Sequence, residues 1–170
     1  KHLMDDIKNH LRLDRRPHNR KLVVPSVYKS LKTLCFIRLL SLLRRLDKVL
    51  IFVPTRKEAR QLGWILRCPY VTSKSRNKEN IIDKFDKQGG WLVTTTILER
   101  GVTFYGVSVI VFNGSHSVFD EASLVQICGR VDRSFLPMKG ECHILCHSLS
   151  EFIQKCVTRL KTHNHNAFGV

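Results

Sequence analysis

Residues 48–67 read KVLIFVPTRKEARQLGWILR. A short, wholly apolar run, VLIFV, gives way at Pro54-Thr55 to a segment with helical spacing. Such a run is the pattern of a strand covered on both faces. Working downstream, YVTS (70–73) predicts a strand and NKENIIDKFDKQ (77–88) a helix closed by Gly89-Gly90. GWLVTTT (90–96) predicts a strand, TILERG (96–101) a helical turn, and VSVIVFNG (107–114) a further buried strand. FDEASLVQICGRVDR (119–133), GECHILCHS (140–148) and SEFIQKCVTRLKT (150–162) predict helix, strand and helix, with a fraying tail at NHNAFGV. Upstream, residues 29–46 repeat leucine at helical spacing and predict an amphipathic helix. Residues 1–28 predict a basic connector or arm broken by Pro17 and Pro25, with one short strand at KLVVP (21–25).

Strands and helices alternate with short links. That predicts an α/β fold with a mostly parallel sheet and helices on both faces, one domain over residues 29–170. In such sheets ligands sit beyond the carboxyl ends of strands. Those ends are Pro54-Thr55, Ser73-Lys74, Thr94-Thr95-Thr96, Asn113-Gly114 and His147-Ser148. Their hydroxyl and amide groups suit phosphate oxygens.

The 170-residue chain carries a formal net charge of +15. Residues 1–48 alone hold 13 Lys and Arg against 4 Asp and Glu. Such a field favours nucleic acid or another anionic surface as partner. No apolar run approaches the roughly 20 residues that span a bilayer. The six cysteines, Cys35, Cys68, Cys128, Cys142, Cys146 and Cys156, mostly have apolar neighbours, which predicts buried reduced thiols rather than a disulfide framework.

The chain has no G-x-x-x-x-G-K-[ST] loop to cradle phosphates itself. Yet LVQICGRVDRS (124–134) sets Gln126, Gly129, Arg130 and Arg133 on one short segment. Phosphoryl transfer needs positive charge at the γ-phosphate, and a neighbouring domain can deliver it. Two arginines three apart on a helix facing a cleft would serve. Solvated or ion-paired arginines are the plain alternative.

Three segments, in order, carry a family resemblance. VLIFVPT (49–55), LVTTTILERGVTF (92–104) and QICGRVDR (126–133) are similar to motifs IV, V and VI of the C-terminal RecA-like domain of superfamily 2 helicases. The chain most closely resembles the ComF-operon competence helicase-like family, ComFA. The resemblance implies a three-layer RecA-like sandwich. It implies Arg130 and Arg133 as arginine fingers toward ATP and Mg2+ held mainly by an N-terminal RecA-like domain upstream, with Gln126 and Gly129 in the same cleft. Arg100 and Gly101 would shape the motif V loop, and Thr55, Thr95 and Thr96 would contact the nucleic-acid backbone. Asp132 stands where the superfamily often has glycine, and Thr72 and Lys78 where relatives often show histidine and arginine.

By that resemblance the domain is half of a DNA-dependent ATPase, inactive by itself, that moves along nucleic acid. Single-stranded DNA taken up in competence is the expected partner, at the cytoplasmic side of the membrane and beside other competence proteins. A non-catalytic nucleic-acid-binding module on a RecA scaffold, or a primosome or repair helicase, is the alternative.

Several features have plainer explanations. Asp120-Glu121 opens a helix, where Asp120 or Ser117 serves as N-cap, rather than following a strand as a Walker B acid pair would. Cys142, His143, Cys146 and His147 alternate across a strand, so four metal ligands cannot converge and no metal site is expected. Trp64 and Trp91 are expected in the core. His116, in a loop near the predicted cleft, is a modest candidate.

Overall fold

The computed structural model describes residues 21–98, 104–131 and 140–169. Six parallel strands form one sheet. They are β1 (Ser26–Lys29), β2 (Lys48–Phe52), β3 (Tyr70–Val71), β4 (Gly90–Thr94), β5 (Ser108–Phe112) and β6 (Cys142–Cys146), in the order β1-β6-β5-β2-β4-β3. The central strand β2 is buried on both faces, as its unbroken apolar run requires. Its side chains alternate between two cores. Val49 and Ile51 point to one, Leu50 and Phe52 to the other.

Helices α1 (Lys32–Arg45) and α2 (Arg56–Leu66) cover the first face with Leu39, Leu42, Leu43, Ala59 and Leu62. Helices α3 (Lys78–Gln88), α4 (Glu121–Cys128) and α5 (Glu151–Phe168) cover the other with Phe85, Leu124, Ile127, Ile153 and Leu160. The result is the expected three-layer sandwich. A 3-10 turn, Thr96–Leu98, follows β4.

Four expectations are corrected. The short strand lies at Ser26–Lys29, beside β6, and not at residues 21–25. Pro25 has no N–H to give a ladder, and the peptide groups of Leu22 are taken by a side chain instead. Asn164 accepts from the Leu22 N–H through Oδ1 and donates to the Leu22 carbonyl through Nδ2, both at 2.8 Å. The same contact explains the second correction. The tail does not fray at residue 164; α5 runs to Phe168, with Asn164 buried and Gly169 capping in the left-handed region at φ 72°. Third, Trp64 is not a core residue; it is 83% exposed. Fourth, the helix expected over 119–133 is shorter, Glu121–Cys128, and residues 132–133 lie outside the described residues.

Other local expectations hold. Asp120 caps α4 by accepting from the Ser123 N–H at 2.8 Å. Trp91 is half-buried against the first core. The cysteines are free thiols, with five of the six buried. Burial raises the Cys68 thiol to about 11. Cys142 and Cys146 share a face with Ile144, while His143 sits on the other side, 3.3 Å from Glu141 Oε1.

Candidate nucleotide and nucleic-acid interface

The chain leaves β2 toward β4 and β3, and leaves β5 toward β6. These adjacent strands therefore diverge at their carboxyl ends, the place where α/β sheets open a crevice. Thr55 stands at that point. It is the N-cap of α2, in extended geometry, and accepts from the Glu58 N–H at 3.2 Å. Its own hydroxyl donates to Glu58 Oε2 at 2.9 Å. The other carboxylate oxygen of Glu58 accepts from Asn113 Nδ2 at 2.9 Å. Glu58 thus ties the end of β2 to the end of β5 across the switch point.

Asn113 holds a left-handed φ of 61°, which asparagine tolerates better than most residues. Gly114 follows. A Cβ there would stand 2.6 Å from Ile144 Cγ2, so only glycine lets the chain lie against β6. His116 accepts from the Val118 N–H at 3.1 Å through Nδ1, which occupies it in shaping the loop.

Beside Thr55 a cavity of about 600 Å³ opens toward the end of β3. Thr55, Arg56, Lys57, Arg60, Tyr70, Thr72, Lys74 and Ser75 line it. Four cations and four hydroxyl-bearing residues line it, with no carboxylate among the lining. Arg56 and Lys57 occupy the first turn of α2, where the helix dipole adds positive potential. The loop after β3 is held by its own bonds. Ser75 Oγ accepts from the Thr72 N–H at 2.9 Å, and Thr72 Oγ1 accepts from the Lys74 N–H at 3.3 Å. Cations and hydroxyl groups in this arrangement are suited chemically to phosphate oxygens.

Thr95 and Thr96 end β4 on the same edge. Thr95 is buried and Thr96 half-buried at the start of the 3-10 turn. The Thr94 carbonyl accepts from the Val53 N–H at 2.8 Å, which locks the ends of β2 and β4 together. Sequence reasoning named Thr55, Thr95 and Thr96. It placed Asn113 and Lys74 at strand ends, and missed Arg56, Lys57, Glu58, Arg60, Tyr70 and Ser75. The signal available was the T-x-x-E capping pattern of Thr55 and Glu58 with basic residues in and after the first turn.

The motif VI residues sit elsewhere. Helix α4 starts beyond the carboxyl end of β5 and runs back along the sheet. Its last residue, Cys128, has its sulfur 3.5 Å from that of Cys142, the first residue of β6. Gln126, Gly129 and Arg130 therefore lie toward the amino side of the sheet. The length of α4, eight residues, or about 12 Å at 1.5 Å per residue, separates them from the carboxyl edge. Gln126 is exposed, and Gly129 and Arg130 are half-buried. Gly129 has an ordinary right-handed φ of −68° and caps α4 through bonds to the Ile127 and Val125 carbonyls. Arg100, Gly101 and Arg133 lie outside the described residues. An amide and a guanidinium suit anionic oxygens rather than a cation. Among the described residues no group of three His, Cys, Asp or Glu side chains could hold a metal ion. Among them, too, no helix is long and apolar enough to cross a membrane.

A three-layer sandwich around an all-parallel sheet, with a cation-walled groove at its carboxyl edge, is a RecA-like domain. The chain belongs to the helicase conserved C-terminal domain family, whose model matches residues 31–134. It is 34% identical over 127 residues to competence protein ComFA of Streptococcus pneumoniae, covering 70% of this chain and 29% of that protein. It is 37% identical over 91 residues to ComFA of Bacillus subtilis, covering 50% of this chain and 20% of that protein. The chain thus spans under a third of the length of these curated relatives. Among solved structures it is similar to the Mycobacterium smegmatis helicase Lhr bound to ssDNA and AMP-PNP. The TM-score is 0.65 at 16% identity, over 85% of this chain and 22% of that one. The likeness is one of fold.

Proposed function

We propose that this domain is the second motor half of a DNA-dependent ATPase. It grips the backbone of single-stranded nucleic acid at its carboxyl edge and presents Arg130 and Arg133 to ATP and Mg2+ held mainly by an N-terminal RecA-like domain of the same protein. Thr55, Thr95 and Thr96 contact phosphates beside the cationic groove. Gln126, Gly129, Arg100 and Gly101 shape the nucleotide side. The observation that carries this reading is the separation of two chemistries across the sheet: a cation-lined groove free of carboxylates at its carboxyl edge, and an amide and a guanidinium at the end of α4, toward its amino side. A domain that closed against a nucleotide-bearing partner would move both sites together as one packed body.

Similarity to the ComFA proteins supports single-stranded DNA uptake in competence as the setting, at the inner membrane face and with other competence proteins as partners. The single-stranded DNA and nucleotide analogue bound to Lhr support the pairing of these two ligands on this fold.

The test is steady-state ATP hydrolysis by the longest natural form of the protein, with and without single-stranded DNA, beside Arg130→Ala and Arg133→Ala. Arginine fingers supply about 10³-fold or more of the rate. DNA stimulation, with a loss of that size on substitution, is expected. Hydrolysis that is absent, or untouched by either substitution, refutes the motor role. The isolated domain is expected to hydrolyse no ATP.

A further inference from the structure

The groove does not end at Arg60 and Tyr70. Both residues also line a second cavity, of about 850 Å³, with Gly63, Trp64, Ile65, Arg67, Cys68 and Pro69. Trp64 is 83% exposed and Tyr70 36%. An indole left in water on a helix surface forgoes the burial that normally holds tryptophan inside.

The placement of these residues is built. Arg60 and Trp64 stand one turn apart on the exposed side of α2, and Arg67 follows as its C-cap. A Cβ on Gly63 would stand 3.0 Å from Tyr70 Cδ1, so the glycine lets the tyrosine ring lie against the helix. Arg67 closes α2 in the left-handed region at φ 53°, its N–H donating to the Trp64 carbonyl at 3.3 Å. The Cys68 N–H then donates to the Gly63 carbonyl at 3.0 Å.

We infer that this face, Trp64 and Tyr70 flanked by Arg60 and Arg67, is a base-stacking platform that extends the phosphate groove for single-stranded nucleic acid. The inference rests on the nucleic-acid reading of the groove. Three observations point to this occupant. The platform is continuous with the groove through Arg60 and Tyr70. Its lining, like that of the groove, contains arginines and no carboxylate. And aromatic rings alternating with cations match a single strand, whose bases offer flat faces at the spacing of its phosphates. The helix ends here, and its terminal carbonyls disfavour phosphate directly over Trp64. A base is the part of the strand that fits, with Arg60 and Arg67 left for the backbone.

The experiment uses equilibrium binding of oligo(dT) followed by tryptophan emission and by anisotropy of a labelled strand, across a salt series. Trp64→Ala, Trp64→Phe, Arg56→Ala and the unsubstituted protein are compared, with a blunt duplex of the same length as a second ligand. Trp64 is exposed, so its substitution leaves the fold intact. Quenching of emission by oligo(dT) in the unsubstituted protein is expected, and its loss in Trp64→Phe. Trp64→Ala is expected to weaken single-strand binding about 10-fold, with an unchanged salt slope and no effect on the duplex, whose bases are already stacked. Arg56→Ala is expected to lower the slope. If Arg56→Ala lowers the slope while oligo(dT) leaves the emission of the unsubstituted protein unchanged and Trp64→Ala leaves affinity unchanged, the platform is refuted and the groove stands, leaving this face to a protein partner. If no strand binds at all, the reading of the groove fails and the platform falls with it.

Discussion

The salt dependence of single-strand binding tests the groove most directly. Arg56, Lys57, Arg60 and Lys74 line it, and no carboxylate among the lining offsets them. A cation that neutralises a phosphate releases condensed counterions, and for single strands the slope of log K against log salt is about −0.7 per contact. Four such contacts give a slope of about −2.8, a fall of roughly 50-fold in affinity between about 50 and 200 mM salt. Other basic residues of the +15 chain add to the total, so the slope lost on substitution is the sharper quantity. Replacing Arg56, Lys57, Arg60 or Lys74 by alanine in turn should reduce its magnitude by about 0.7 each. The side chains are exposed, so thermal stability should hold. The assay is fluorescence anisotropy of a labelled oligonucleotide at several salt concentrations. An unchanged slope in the quadruple variant would refute the assignment, because the groove would then touch no phosphate.

Further outcomes follow from packing and protonation. Gly114→Ala drives a methyl to 2.6 Å from the fully buried Ile144, and should cost about 1–3 kcal/mol by overpacking; a urea melt identical to that of the parent would show that the strands part freely there. Asn164→Leu strands the N–H and C=O of Leu22, both now bonded at 2.8 Å, and should cost about 1–3 kcal/mol, read by the same melt. Burial lowers the His143 pKa despite the nearby Glu141 carboxylate, with Arg45 and Arg38 also opposing its charge. The unfolded state therefore binds the proton more readily. Its stabilising contribution is complete above about pH 6.5 and is lost as pH falls through the folded value. Melting temperature against pH should be flatter over that range in His143→Gln, and parallel curves would contradict the assignment.

Much of this architecture was legible because it is written in burial. VLIFV and VIVF can sit only in covered strands, and the leucines of α1 recur at a spacing only a helix satisfies. Their alternation leaves few topologies. What could not be read are decisions made by contacts far apart in the chain. Nothing in KLVVP announces that Leu22 pairs with the side chain of Asn164, 142 positions away. A run of apolar residues with no free ladder partner became a packed connector, and the helix receiving it gained length. Trp64 was misplaced for a related reason. Its neighbours Leu62 and Gly63 are buried, and a one-residue step around a helix, 100°, separates core from solvent.

The site divides along the same line. Thr55, Thr95 and Thr96 could be named because strand ends are visible in sequence. The groove could not, because Lys74 and Ser75 meet Arg56 and Arg60 only once β4 lies between β2 and β3. That strand order sends the chain across the sheet twice and sets the loop after β3 within reach of the first turns of α2. The order also makes Glu58 more than a cap. Its two oxygens bond Thr55 from the β2 end and Asn113 from the β5 end, and only the second partner requires the fold. A capping pattern legible locally thus becomes a clasp across the switch point, and the cationic groove opens beside a backbone it holds in place.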